Sequence, residues 1–204
     1  MIEVEIKVRI TNPNEIKNKF EKLNGMYKLS LYHEDTYFNM PKGLRDFKKT
    51  DEALRIRKSV EFQKNINDSE KIVNYFITYK GEKIDTSTKS RKELEVKLND
   101  GIQMREILKS LGFKEIFTVK KERELFEFKY KNIKLEALID YIPILKEYYM
   151  EVEITTETID KLNETREILF EFLSNIDIKR EESIRKSYLE LIAERLSQKS
   201  GNKV

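Results

Sequence analysis

The first ten residues, MIEVEIKVRI, alternate. Glu3, Glu5, Lys7 and Arg9 fall on one side of an extended chain, and Val4, Ile6, Val8 and Ile10 on the other. Successive side chains of a strand point to opposite faces, so this is a strand with one apolar and one charged face. The same period of two recurs at 35–39, 53–60, 74–80, 91–98, 117–130, 133–140 and 148–154. Helical spacing appears four times. Asn14 to Leu23 follows Thr11-Asn12-Pro13 and stops short of Gly25, Asp100 to Leu111 stops at Gly112, and Thr158 to Leu173 and Ser183 to Leu196 carry apolar residues three and four apart. Polar stretches at 40–52, 61–73 and 82–90 hold little that packs and read as loops. The final residues, 197–204, read as a flexible tail. Residues 1–196 are taken as one α+β domain built around an antiparallel sheet or barrel. The strand-then-helix order of 2–23 returns at 91–111, where RKELEVKL echoes IEVEIKV.

Composition narrows the function. The 204 residues are 39% hydrophobic and 38% charged, enough apolar material for a core under a highly charged surface. There is no cysteine, which removes disulfides, thiolate metal sites and a cysteine nucleophile. The single histidine, His33, leaves no room for a histidine-rich metal site and reads as a loop residue. A net charge of +3 does not imply a nucleic-acid partner. No stretch is apolar and long enough to span a membrane, and the charged N-terminal strand is not a signal peptide, so a cytoplasmic location is the default.

The strand charges carry the remaining information. Glu3, Glu5 and Lys7 share a face, as do Arg55 and Arg57, as do Arg91, Glu93 and Glu95; Lys121 pairs with Arg123, and Glu151 with Glu153. On any one strand the ordinary reading is a solvated sheet face with cross-strand ion pairs. Repeated on nearly every strand it points elsewhere, because a solvated face accepts Thr, Ser, Gln and Asn freely. The alternative is a barrel whose charged faces line a wet interior, where carboxylates suit a hard divalent cation and arginines suit phosphate.

These residues resemble the CYTH domain, or triphosphate tunnel metalloenzyme, family, closest to its class IV adenylyl cyclase-like members. Glu3-Val-Glu5-Ile-Lys7 matches the opening ExExK. In order after it come Asp35-Thr-Tyr37-Phe38, Leu54-Arg55-Ile56-Arg57, Thr78-Tyr79-Lys80-Gly81, Arg91-Lys-Glu93-Leu-Glu95, Lys121-Glu-Arg123, Ile139-Asp140 with Glu151-Val-Glu153, and Lys186-Ser187-Tyr188. In the turn after Asp140 a glycine is expected where this chain has Lys146. The resemblance implies an eight-stranded antiparallel closed β-barrel flanked by helices, with a triphosphate-containing substrate in its lumen. It implies Mg2+ or Mn2+ on Glu3, Glu5, Asp140, Glu151 and Glu153. Phosphates fall to Arg55, Arg57, Lys80, Arg91, Lys121 and Arg123, with Glu93 and Glu95 in support. Lys7 and Tyr37 are the candidate catalytic pair, Lys7 as base or phosphate contact. Such a site fits cyclisation of ATP to cyclic AMP and pyrophosphate, hydrolysis of inorganic, thiamine or nucleoside triphosphate, or plain binding of polyphosphate or a triphosphate end. The partner is then a nucleoside triphosphate or other triphosphate, with no membrane and no nucleic acid, and a homodimer left open. Cations crowded in such a lumen are expected to repel one another until a ligand arrives.

Overall fold

Each charged strand face turns inward and each apolar face outward. In a computed structural model of the chain, residues 2–62 and 71–201 are described. The strands are β1 (Ile2–Ile10), β2 (Met26–Asn39), β3 (Ala53–Phe62), β4 (Ile72–Lys83), β5 (Arg91–Leu98), β6 (Lys114–Tyr130), β7 (Ile133–Ile142) and β8 (Glu147–Thr156). They close into a barrel in the order β1-β5-β4-β3-β2-β6-β7-β8, every neighbouring pair antiparallel. The helices are α1 (Pro13–Lys22), α2 (Gly101–Ser110), α3 (Leu162–Ser174) and α4 (Tyr188–Gly201). The chain thus runs strand, helix and three strands, then the same again, so the echo between 2–23 and 91–111 marks equivalent positions in two halves.

The main core lies outside the barrel. Val4, Ile6 and Val8 of β1, Phe126 and Phe128 of β6, Leu135, Ala137 and Ile139 of β7, and Met150, Val152 and Ile154 of β8 are buried beneath Phe20 of α1 and Leu169, Phe172 and Leu173 of α3. Phe20 meets the rings of Phe126 and Phe128 edge-on, both at 5.1 Å. Removing so central a ring costs about 3–5 kcal/mol. A smaller cluster of Phe38, Ile56 and Leu108 seats α2 on the opposite wall. A third joins Val119, Ile142 and Tyr149 to Tyr188 and Ile192 of α4. These three strand residues share the inward parity of Lys121, Asp140 and Glu151, so α4 is packed into one end of the barrel.

Local chemistry sets the helix starts. Asn12 accepts the Glu15 N–H at 3.3 Å ahead of Pro13, and Asp100 accepts the Gln103 N–H at 2.9 Å. At the end of α1 it is Asn24 that takes the left-handed conformation, φ 59°. Gly25 is needed for space: a Cβ there would stand 2.4 Å from the Phe128 ring.

Several elements depart from the sequence reading. The strand expected at 35–39 is the end of a 14-residue strand, β2, whose register shifts at Tyr27/Leu29 and Tyr37/Phe38 interrupt the alternation that a pattern reading relies on. His33 is accordingly buried in a strand and not in a loop. The last helix begins at Tyr188, not Ser183. Residues 183–187 instead run along the barrel, where Ile184 N–H donates to Lys7 O at 2.7 Å and Ser183 Oγ to Ser87 O at 2.9 Å. Helical backbone continues past Leu196 to Gly201. Lys146 takes φ 57° in the β7–β8 turn, the conformation for which a glycine is expected, and Asp140 stays in register opposite Tyr149. The loop expected at 61–73 falls largely on 63–70, outside the described residues, with β3 reaching Phe62 and β4 starting at Ile72. No helix among the described residues is long and apolar enough to cross a membrane.

Candidate active site

Inside the barrel a cavity of about 600 Å3 is lined by charged side chains from most of the strands. It includes Glu3, Glu5, Tyr37, Arg55, Arg57, Lys80, Arg91, Glu93, Glu95, Lys121, Arg123, Glu151 and Glu153. Lys7 and Asp140 are fully buried in the wall behind it. The cavity leaves the barrel beside α4, between Leu189, Glu190 and Ala193 on one side and Phe47, Asp51 and Glu52 on the other.

Two aspartates hold the arginines. Asp35 on β2 accepts from Arg57 Nε at 2.6 Å and Nη2 at 2.8 Å, and from Arg55 Nη1 at 3.3 Å. Burial raises the Asp35 carboxyl, but Arg57 and Arg55 outweigh it and hold it well below the ordinary carboxylate range. Asp140 on β7 accepts from Arg123 Nε and Nη2, both at 2.6 Å, from Tyr188 OH at 2.8 Å and from Lys121 Nζ at 3.5 Å. Its oxygens are thus engaged by cations and a phenol. Thr78 Oγ1 accepts from Arg55 Nε at 3.2 Å and donates to Glu95 at 2.7 Å. Glu93 pairs with Lys80. Arg91 donates to Gly81 O at 3.1 Å and Asp51 O at 3.3 Å, which ties it to the backbone of β4 and of the β2–β3 connection. The expected repulsion among the cations is thus largely offset, since almost every one of them has an acidic partner, and it persists at Lys7 and Lys121.

The carboxylates of β1 and β8 are crowded instead. Glu5 stands opposite Glu153 in register, and Glu3, Glu5 and Glu153 each offer an oxygen within 4.8 Å of the others. Burial and the adjacent Glu151 push Glu5 up to about 7. Burial and Glu3 push Glu153 well above the usual range. Burial acts on Glu3 too, but Lys80 and hydrogen bonds from Glu93 and Glu153 hold it low. The crowding raises two of the three carboxyls at a place where a cation would satisfy all of them, and the hard oxygen set suits Mg2+ or Mn2+. Glu151 adjoins Glu5 but stands among cations, with Lys7 at 3.4 Å, Lys89 at 3.0 Å and Arg123 around it. Burial raises its carboxyl, but Lys89, Lys7 and Arg123 hold it well below normal. Of the five carboxylates read as metal ligands, three converge; Asp140 and Glu151 face cations.

Lys7 is enclosed on every side. Its Nζ donates to Lys186 O at 3.0 Å and lies 3.6 Å from the centre of the Tyr188 ring. Burial and the charge of Lys89 push it down to about 7, against the pull of Glu151 and Glu5. Burial and Arg123 bring Lys121 to about 8. Tyr37 does not support Lys7: β1 and β2 are four strands apart in a ring of eight, so the two occupy opposite walls. The ring beside Lys7 is that of Tyr188, at the start of α4.

Three further residues belong to the site. Asp35 and Tyr188 lie within the matched motifs, and their roles become visible only when the strands are paired. Lys89, from the segment read as a featureless loop at 82–90, reaches Glu5 and Glu151. Sequence offers no sign of it, because DTSTKS has no period.

The family profile described as the CYTH domain matches residues 1–188. A Methanocaldococcus jannaschii protein named as a candidate adenylate cyclase, MJ0240, is 41% identical over 192 residues, 94% of this chain and 98% of its own. The structure of the PH1819 protein from Pyrococcus horikoshii OT3 superposes with a TM-score of 0.79 at 33% identity, covering 95% of this chain and 99% of that one. A candidate adenylyl cyclase from Hippeastrum, described as revealing a dominant triphosphatase activity, shares the fold with a TM-score of 0.62 at 16% identity, covering 94% of this chain and 95% of its own.

Proposed function

The chain belongs to the CYTH domain family, and from that premise we propose that it is a divalent-metal-dependent phosphoryl-transfer enzyme whose triphosphate-containing substrate lies in the tunnel, cyclising ATP to cyclic AMP and pyrophosphate. The observation that carries this reading is the meeting of three under-compensated carboxylates with a wall of fixed arginines around one cavity. Glu3, Glu5 and Glu153 would hold Mg2+ or Mn2+. When bound, that ion neutralises phosphate charge and lowers the pKa of the attacking oxygen. Arg55, Arg57, Lys121 and Arg123 take the phosphate oxygens, with Lys80 and Arg91 at the β4–β5 wall. Asp35 and Asp140 pre-set the guanidinium planes, so little side-chain freedom is lost on binding.

In cyclisation the 3′-hydroxyl oxygen forms a bond to the α-phosphorus, the bond from that phosphorus to the pyrophosphate oxygen breaks, and the hydroxyl proton passes to a base. Lys7, brought down to about 7 chiefly by burial, stands behind the cavity wall, so its part as base or phosphate partner requires a shift of the side chain toward the lumen. Phe47, Ile116 and Leu189 at the cavity mouth give an organic group of the substrate an apolar resting place. Tyr37 stands on the wall opposite Lys7 and contacts the substrate there.

A second reading is triphosphate hydrolysis, with water attacking the terminal phosphorus. It draws support from the activity described for the Hippeastrum protein, which shares the fold. Product analysis with ATP, inorganic triphosphate and thiamine triphosphate, each with Mg2+ or Mn2+, separates the two. Cyclic AMP with pyrophosphate is the expected outcome, orthophosphate favours hydrolysis, and no turnover of any of the three with either metal overturns both.

A further inference from the structure

Lys89 sits among groups that the metal reading reserves for a cation. Its Nζ donates to Glu5 and, at 3.0 Å, to Glu151, while its backbone N–H donates to Glu5 O at 3.0 Å. The loop that carries it is held in place. Asp85 accepts from Ser87 N at 2.8 Å, Thr88 N at 2.7 Å, and Arg166 Nη1 at 2.7 Å, and Arg185 Nη2 donates to Asp85 O at 2.8 Å. The backbone of Lys89 is thereby fixed against β1, and only its four-carbon side chain is left to move. Glu5 is the one carboxylate that belongs both to this ion pair and to the convergent group of Glu3, Glu5 and Glu153. Glu151, the other, adjoins Lys7 and Arg123 on the way to the phosphate-facing cations.

We propose that Lys89 is the tunnel's internal counter-cation: it neutralises Glu5 while the tunnel is empty, and is displaced toward Glu151 and the substrate phosphates when a metal ion takes Glu5. This rests on the metal reading given above. A divalent ion and an ammonium group cannot both approach the same carboxylate oxygen without repulsion, so metal binding and the Lys89–Glu5 pair exclude one another. Displacement moves the ammonium the short distance to Glu151, the other acid it touches among the described residues. The metal's cost of entry is then partly returned as affinity for the triphosphate, and the two ligands bind cooperatively.

The test measures Mn2+ uptake by the loss of the free-ion EPR signal, without and with inorganic triphosphate, for the wild-type chain, Lys89→Met and Lys89→Arg. Lys89→Met, which keeps the length of the side chain and loses the charge, is expected to bind Mn2+ alone at least about tenfold tighter, because a buried competing pair is gone. It is expected to bind triphosphate in the presence of Mn2+ at least about tenfold more weakly, for want of one charged donor. Lys89→Arg keeps the cation and stays close to wild type in both. Equal or weaker Mn2+ binding by folded Lys89→Met overturns the proposal. A wild-type chain that takes up no Mn2+, with or without triphosphate, instead overturns the metal reading on which it rests. Should Lys89→Met not fold, the wild-type chain decides: with 13Cε-labelled lysine, assigned through Lys89→Arg, the Lys89 signal shifts on Mg2+ addition and again on triphosphate. A signal unmoved by Mg2+ in a chain that binds it rules the exchange out.

Discussion

β1 and β5 occupy equivalent places in the two halves of the chain and carry the same Glu-x-Glu pattern, Glu3 and Glu5 on one, Glu93 and Glu95 on the other. Their surroundings separate them. Glu93 pairs with Lys80, and Glu95 accepts from Thr78 with Arg55 at 3.7 Å. Glu5 faces Glu153 across the β1–β8 ladder, and Glu3 lies close to both. The acids of β5 are matched by neighbours of opposite charge, whereas those of β1 share theirs: Glu5 shares Lys89 with Glu151, and Glu3 has Lys80 at 3.9 Å while Lys80 pairs with Glu93. A motif on a strand therefore specifies which way the carboxylates point, and the strand next door specifies what they do. β5 has β4 beside it with Lys80 and Thr78; β1 has β8, which brings two more glutamates.

The largest effect expected of any single acid lies outside both pairs. Asp140 is fully buried and holds Arg123 in a two-point contact. Asp140→Ala leaves that guanidinium with Glu151 as its remaining acidic partner among the described residues, and breaking a buried pair from one side costs about 3–5 kcal/mol. Thermal melting in chelator shows it: a large fall in Tm is expected for Asp140→Ala, whereas a residue that served only a metal would leave the metal-free Tm in place.

Next comes the direct contrast of the two strands. Glu5→Gln removes one member of the convergent group, and turnover is expected to drop about 100-fold or more, the scale of a lost charge partner in the transition state. Glu95→Gln on β5 removes a long ion pair from Arg55, which keeps Asp35, and its loss is expected to stay near tenfold, about 1.4 kcal/mol. Mn2+ uptake should fail in the first and persist in the second. Equal losses of turnover and of uptake in the two variants would erase the distinction between β1 and β5.

Metal-free stability against pH tests the same contrast without a substrate. The carboxyl of Glu5 titrates near 7 in the fold and at an ordinary glutamate value when unfolded. Between about pH 4.5 and pH 7 the folded chain therefore holds more protons than the unfolded one, and stability falls as pH rises through that window. Lys7 acts with the opposite sign above it: its folded value near 7 lies below the unfolded one, so its cost is relieved as pH climbs from about 7 toward 10. Tm in chelator should therefore decline by several degrees from pH 4.5 to 7. Glu5→Gln should lessen that decline, leaving the part owed to the raised Glu153 carboxyl, and added Mn2+ should flatten it. A flat profile in the wild-type chain would remove the case for crowding.

The same contrast explains what was legible in the sequence. Alternation of charged and apolar positions gave the inward faces of β1, β3, β5, β6 and β8, because the period of a strand is local. The family motifs gave the closed barrel. Pairing between strands is not local, and that is where the readings part. Asp140 and Glu151 share the acid chemistry of Glu3 and Glu5, and only the register of β6 against β7, and the reach of Lys7, Lys89 and Arg123, assigns them to cations. Tyr188 falls inside the helical spacing read from Ser183, but the helix begins with it. Its hydroxyl on Asp140 follows from five residues of extended chain that no periodicity marks. Lys89 stood in a polar segment with no pattern, and its position depends on Asp85 and Arg185, the latter 96 residues further along the chain.

The smallest effect probes whether the two pairs are truly separate. Glu93 on β5 shares a hydrogen bond with Glu3 on β1 while it pairs with Lys80. Burial and the neighbouring Glu3 raise its carboxyl above the ordinary range, against the pull of Lys80. Glu93→Gln keeps a donor toward Glu3 and gives up the charge opposite Lys80. If β5 serves only to hold cations, the cost is that of one partly exposed charged contact, about 1 kcal/mol, or roughly 2–4 °C in Tm for a domain of this size. Triphosphate binding should weaken by a similar amount, since Lys80 loses its anchor, while Mn2+ uptake stays at the wild-type value. Calorimetric titration of the variant with Mn2+, and then with triphosphate, reads both. A fall in Mn2+ affinity as large as that of Glu3→Gln would show that the proton bridge between the strands joins them into one acidic group of four, and that the division between β1 and β5 lies further along the tunnel than Glu93.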